Sequence, residues 1–128
     1  MRGETNLQLL LAGMDACLHD PVFAFASVYD VPAEVTPIMV FREAEGMTIV
    51  AEASALEAVG IEFTYRCRMI TLQIHSALDA VGFLAVITTR LAADGISVNP
   101  VSAFHHDHLF VPEERADEAI ALLRKEWT

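Results

Sequence analysis

A ten-residue pattern occurs twice in this chain. VAEASALEAV at 50–59 aligns with VPEERADEAI at 111–120, and five of the ten positions are identical. The offset, from Val50 to Val111, is close to half of the 128 residues. Each copy leaves a strand-like run after a hairpin and enters an alanine-rich helix. Phe41 and Phe104 precede the two hairpins, the first of which is two residues longer. A shared strand–turn–strand–helix context at that spacing points to duplication. Half-chains of this size are marginal alone, so the two must share a core or pair their sheets.

Local patterns fill in the elements. Thr5 and Gln8 have capping-box spacing, and Leu7, Leu10, Leu11 and Met14 recur on one face, which predicts a helix over 5–14. Pro21 is expected to stop the chain before a β-rich strand at 22–29, and 30–37, with two prolines, reads as a loop. Strands at 38–42 and 47–51 flank a turn that uses Gly46, and a helix at 52–59 closes at Gly60. The extended run 61–75 exceeds a normal strand and is expected to break near Arg66 and Arg68. Val81, Leu84, Ala85, Thr88, Leu91 and Ala92 predict a helix over 79–94. Strands at 96–104 and 108–111 follow, then a helix over 113–126 with acids in its first turn and Arg124 and Lys125 in its last.

The second half therefore reads β-α-β-β-α, the order of the split βαβ, ferredoxin-like class. The fold class is α+β: two such modules in tandem (1–66 and 67–128), antiparallel sheets with helices on one face. The first module departs from this order, because a loop joins Tyr29 to Ile38 where a helix should lie. Helix 5–14 is expected to take that helix's place on the sheet.

Charge and composition exclude some partners. With 18 Asp and Glu against 8 Lys and Arg, the net charge of −10 leaves no basic face for nucleic acid or an anionic membrane. The 54% hydrophobic content excludes a disordered chain. No run reaches the roughly 18 apolar residues of a membrane span. Glu4 and the short apolar patch at 9–14 argue against a signal peptide. Cys17 and Cys67 have no metal or redox spacing and read as reduced thiols of a cytoplasmic protein, with a single bridge as the alternative.

The second half resembles the ACT domain. ITLQIHSALDAVG at 70–82, followed by FLAVITTRLAADGISV at 83–98, follows that family's strand, Asp-x-x-Gly turn, apolar helix and Leu-Ala-x-x-Gly-Ile-x-Val exit. Asp79 and Gly82 match the turn; Leu91, Ala92, Gly95, Ile96 and Val98 match the exit. Ser97 stands where the family often has Asn, and Val81 where Pro is common. SAFHHDHLFVP at 102–112, GETNLQLLLAGM at 3–14 and FREAEGMTIV at 41–50 are similar to a small bacterial group of paired ACT domains. The resemblance implies an amino-acid-sensing or regulatory role, an effector held by the turn at an interface, and a homo-oligomer.

Two clusters are candidates for chemistry. Residues 75–82 end a strand and open a helix, so unpaired amides there attract a carboxylate. Asp79 is placed to receive an amino group, and Gly82 allows close approach. The expected ligand-binding set is Ser76, Ala77, Leu78, Asp79, Val81 and Gly82, with Asp30 on the facing first module. Helix capping by Ser76 or Asp79 is the competing role. The second cluster is His105-His106-Asp107-His108, where alternation puts His106 and His108 on one face as weak metal candidates. A polar hairpin turn explains it better. No nucleophile elbow, phosphate loop or Cys-x-x-Cys occurs.

The expected function is therefore non-catalytic binding of an amino acid or similar small effector, with no cofactor. The alternatives are a ligand-free protein-interaction module and a metal-dependent enzyme built on 105–108.

Overall fold

The computed structural model describes residues 3–127. Six strands form one antiparallel sheet: β1 (Ala16–Val28), β2 (Met39–Glu43), β3 (Gly46–Glu52), β4 (Thr64–Leu72), β5 (Asn99–Ser102) and β6 (Asp107–Pro112). Their order is β2-β3-β1-β4-β6-β5. β1 and β4 begin the two repeats and pair at the centre, so the halves join edge to edge. β4 runs through the point between Arg66 and Cys67. The helices are α1 (Leu7–Gly13), α2 (Ala53–Ala58), α3 (Phe83–Ala93) and α4 (Ala116–Leu123), the last entered through a 3-10 turn at Glu113–Arg115.

The central pair departs from the sequence reading in two places. Pro21 does not stop the chain; it lies inside β1, at a register shift between Leu18, opposite Ile70, and Val22, opposite Arg68. A bulge tolerates a residue with no N–H to give. Arg68 Nε donates to the bulge carbonyl of His19 at 3.0 Å. The break expected near Arg66 and Arg68 is instead a second bulge in an unbroken β4, with Tyr65 at φ +64. The Tyr65 hydroxyl donates to the Phe110 carbonyl at 3.1 Å and meets Ser97 Oγ at 3.0 Å, contacts that hold a conformation unusual for a non-glycine residue.

Bulges add twist and bend, and this sheet curls. Its convex face carries the helices. Leu10, Ile70, Leu72, Phe83, Ile87 and Leu109 belong to the core of the second repeat, and Ala24, Ile49, Ala51 and Leu56 to that of the first. The concave face packs Phe23, Val50, Cys67 and Phe110, with Phe23 and Phe25 edge-on to Phe110 at 6.1 and 5.7 Å.

Helix α1 does not replace the missing helix of the first module. It packs against α3, and Leu10 is fully buried in the second module's core. A seven-residue helix is unstable alone; burying one leucine side chain contributes about 2 kcal/mol. Its cap is Asn6, whose side chain accepts from the Leu9 amide, rather than Thr5. The place of the missing helix is taken by the 29–38 loop, which turns through a Val35 N–H to Pro32 carbonyl bond and lends Val31 and Val35 to the first core.

Candidate functional site

The turn after β4 meets the β5–β6 hairpin through one buried carboxylate. Asp107 opens β6 and is 6% exposed. Its Oδ2 accepts from Ser76 Oγ at 2.9 Å, and its Oδ1 accepts from Ser102 Oγ at 2.6 Å. Register makes the second bond local, since Ser102 of β5 lies directly opposite Asp107. Ser76, 8% exposed, brings the turn to the same group. Both donors are neutral hydroxyls, so the carboxylate's charge is solvated by hydrogen bonds but not neutralised.

Beside it lies a cavity of about 120 Å³. Ser76, Ala77, Leu78, Ala80, Phe83 and Leu84 line it together with Ser102 and Asp107. Phe83 and Leu84 are the first residues of α3. Gly82 caps that helix in the left-handed region at φ +89, which is why the helix starts four residues later than its apolar spacing predicts. The N-cap, Gly82, brings no capping side chain of its own, and amides in the first turn have no acceptor within the helix. A buried anion and the positive end of an eleven-residue helix thus border one small cavity.

Of the residues expected here, Ser76, Ala77 and Leu78 line the cavity and Gly82 sets the helix start. Asp79 and Val81 are exposed and are not part of the lining. Asp30 is exposed in the loop after β1 and is not part of it either. The acid at the cavity is Asp107, which the sequence reading placed in the histidine turn. Alternation carried the signal: if His106 and His108 share one face, Asp107 points to the other.

The turn's amides are not all outward-facing. Ser76 N–H donates to the Ile74 carbonyl at 3.0 Å and Ala80 N–H to the Ala77 carbonyl at 3.0 Å. Ala77 N–H donates to the Glu4 carbonyl at 2.9 Å, and Glu4 N–H to the His75 carbonyl at 2.8 Å. The segment before α1 therefore runs along the turn as a short parallel bridge. Gly3 fits there because it has no side chain: a Cβ would lie 2.5 Å from the Ala77 nitrogen.

The histidines form a string of neighbours rather than one convergent set. His105 stacks near His75 at 5.3 Å and Phe104 at 5.0 Å. His106 and His108 rings are 6.3 Å apart. His108 Nδ1 is 2.9 Å from Thr71 Oγ1, which is also 2.8 Å from His19 Nε2. Burial lowers the His108 pKa, the charges of His106 and His19 push the same way, and Asp107 opposes them. Among the described residues, no three His, Cys, Asp or Glu side chains converge as a metal set. Both cysteines are free, and burial pushes the Cys67 thiol up to about 12. No helix among the described residues is long and apolar enough to cross a membrane.

Comparison with known proteins places this geometry. Residues 2–68 match one ACT-domain family model and residues 64–125 match another. A crystal structure from Vibrio cholerae, of a protein of unknown function described as a possible transport protein, is 38% identical with a TM-score of 0.83. That match covers 91% of this chain and 92% of the other. A protein from Agrobacterium tumefaciens matches at 19% identity and TM-score 0.71 over 86% of each chain. The ligand-free regulatory subunit of aspartate kinase from Thermus thermophilus matches at 13% identity and TM-score 0.63, over 88% of this chain and 96% of that one. The last two share the fold alone. No curated protein matches the sequence. The chain belongs to the ACT-domain family, and it carries two ACT domains in tandem.

Proposed function

We propose that this protein is a non-catalytic regulatory module that binds an amino acid or similar small effector between Asp107 and the start of α3. The observation that carries this reading is the buried Asp107 carboxylate, held by two hydroxyls beside the glycine-started first turn of α3. An amino acid brings the two missing charges. Its ammonium goes to Asp107, and its carboxylate goes to the first-turn amides of α3. Ala77, Leu78, Ala80 and Leu84 then meet its side chain. The small cavity favours a short side chain. ACT-family membership supports the regulatory role, and the fold likeness to an aspartate kinase regulatory subunit agrees with it.

Module 67–128 holds the site, and module 1–66 supplies the β1 seam and the N-terminal segment against the turn. Leu78 and Val81 are 68% and 84% exposed beside the cavity. A second copy covering them makes a homo-oligomer, in which Asp79 lies on a surface within reach of the partner; Asp30 follows the far end of β1. Two free thiols fit a cytoplasmic setting.

The test is thermal unfolding in the presence of each of the twenty amino acids. A ligand at 100 times its dissociation constant stabilises the fold by about 2.7 kcal/mol. Asp107→Asn should remove the shift while the circular dichroism spectrum stays native. No shift with any amino acid would reject the effector reading. It would favour a ligand-free interaction module, the role suggested by edge strand β2, where Phe41 is 64% exposed.

A further inference from the structure

The curl of the sheet creates a second recess, open to solvent on one side, on the concave face, opposite to α3 and the Asp107 carboxylate. Met39 of β2 and Val101 of β5 belong to the two outermost strands, yet both line one cavity of about 230 Å³. Met69 and Phe110 line it too, and His108 is the only polar residue in its wall. A cavity of about 420 Å³ continues from Met39 and Val101 past Phe25 and Phe41. No lysine or arginine lines either one.

His108 is chemically prepared for a neutral partner. Thr71 Oγ1 lies between His108 Nδ1 and His19 Nε2. A hydroxyl has one proton, so it donates to one ring and accepts from the other. Nδ1 is committed to Thr71 in both arrangements, which leaves Nε2 for the cavity. Nε2 donates when Nδ1 accepts, and accepts when Nδ1 donates. Burial, His19 on β1 and His106 in the hairpin all favour the uncharged ring, against Asp107 behind it.

We infer that the concave-face cavity is a second small-molecule site, which takes an uncharged apolar molecule of one or two fused aromatic rings with a single hydrogen-bonding group on His108 Nε2. The volume lies below the roughly 300–1,000 Å³ of pockets for drug-sized ligands. An apolar wall stabilises the ring, and one placed polar group fixes its orientation. A free amino acid is rejected here, because its carboxylate would be desolvated with no cation to meet it. This site does not depend on the effector reading at Asp107.

The chain has five methionines, and two of them, Met39 and Met69, line the cavity. That makes methyl NMR of the full chain, labelled at the methionine methyls, a direct readout. Indole is the probe. Titration should shift the Met39 and Met69 methyls together and saturably, leaving Met14 and Met47 in place. His108→Phe keeps a ring but loses the hydrogen bond, and should weaken indole about five-fold, within the range of one net hydrogen bond. His108→Gln should recover most of that loss. Ala103→Trp, at an exposed lining position, should block the shifts without disturbing the fold. Static Met39 and Met69 methyls in the native chain, equal affinity in His108→Phe, or tighter binding of benzoate than of indole would each overturn the proposal.

Discussion

Ser76 Oγ and Asp107 Oδ2 lie 2.9 Å apart, joining residues 31 positions apart in sequence, and this bond ties the turn before α3 to the β5–β6 hairpin. Through Ser102 the same carboxylate also closes the hairpin's own end. Asp107 therefore has a structural duty as well as its proposed role in binding, and the two separate by variant. Asp107→Asn keeps the shape, leaves one hydroxyl a neutral acceptor, and sets an amide NH2, which cannot accept, against the other. It should lower stability by about 1–2 kcal/mol in urea denaturation. Ser102→Ala removes one donor and should lower it by about 1 kcal/mol. Asp107→Asn at native stability would contradict this account of the buried carboxylate.

The contact between Gly3 and the turn gives a second expectation. Gly3→Ala forces a methyl to within 2.5 Å of the Ala77 nitrogen. Backbone cannot yield there as a flexible side chain would, so the 3–5 segment should detach from the turn. Overpacking of this kind costs about 1–3 kcal/mol. Amide hydrogen exchange at Ala77 should accelerate while Ile70 and Leu72 in β4 stay protected. Unchanged protection at Ala77 would show that the bridge does not hold the turn.

Arg90 of α3 closes the end of α4. Its Nη1 donates to the Leu122 and Lys125 carbonyls at 3.0 and 2.9 Å, and its Nη2 to Glu126 at 3.0 Å. The guanidinium also lies 3.3 Å from the Trp127 ring centre. A lysine has neither the planar fork nor the stacking surface. Arg90→Lys should cost about 1–2 kcal/mol. Trp127 is the chain's one tryptophan, so its fluorescence should shift to the red as the ring loses its cover.

Acid should act on the fold through His108. Its folded pKa lies below the usual 6.5, first because of burial, then because of His106 and His19. Below 6.5 the unfolded chain gains a proton that the folded ring resists. Protons therefore favour unfolding, and stability rises with pH across that window. The contribution is complete above 6.5 and disappears as pH falls through the lowered folded value. His108→Gln should flatten the decline between pH 6.5 and 5 in chemical denaturation. An equal slope in both proteins would show that other groups carry it.

Much of the architecture was legible one segment at a time. The 50–59 and 111–120 repeat, the alanine-rich helices and the Gly46 turn are local, because helix period, strand alternation and a glycine φ need only neighbours in sequence. The second half's β-α-β-β-α order and its resemblance to ACT domains followed from the same residues. Three errors have a common cause. Pro21 reads as a stop because the bulge that accepts it depends on β4. The 61–75 run reads as broken because Tyr65's contacts with Ser97 and Phe110 are distant in sequence. Helix α1 reads as a replacement in the first module because nothing local states which apolar surface it will meet.

The site divides the same way. By itself the sequence determined the turn at 76–82, with Ser76, Ala77 and Leu78, since a strand end followed by a helix start is visible in residue order. Only the tertiary structure decided that Asp107 joins the lining of the cavity beside the turn, and that Met39 and Val101 line one recess with His108. Both depend on pairing across the sheet and on its curl. Those are set by packing between segments dozens of residues apart, where the burial of apolar surface selects the partner.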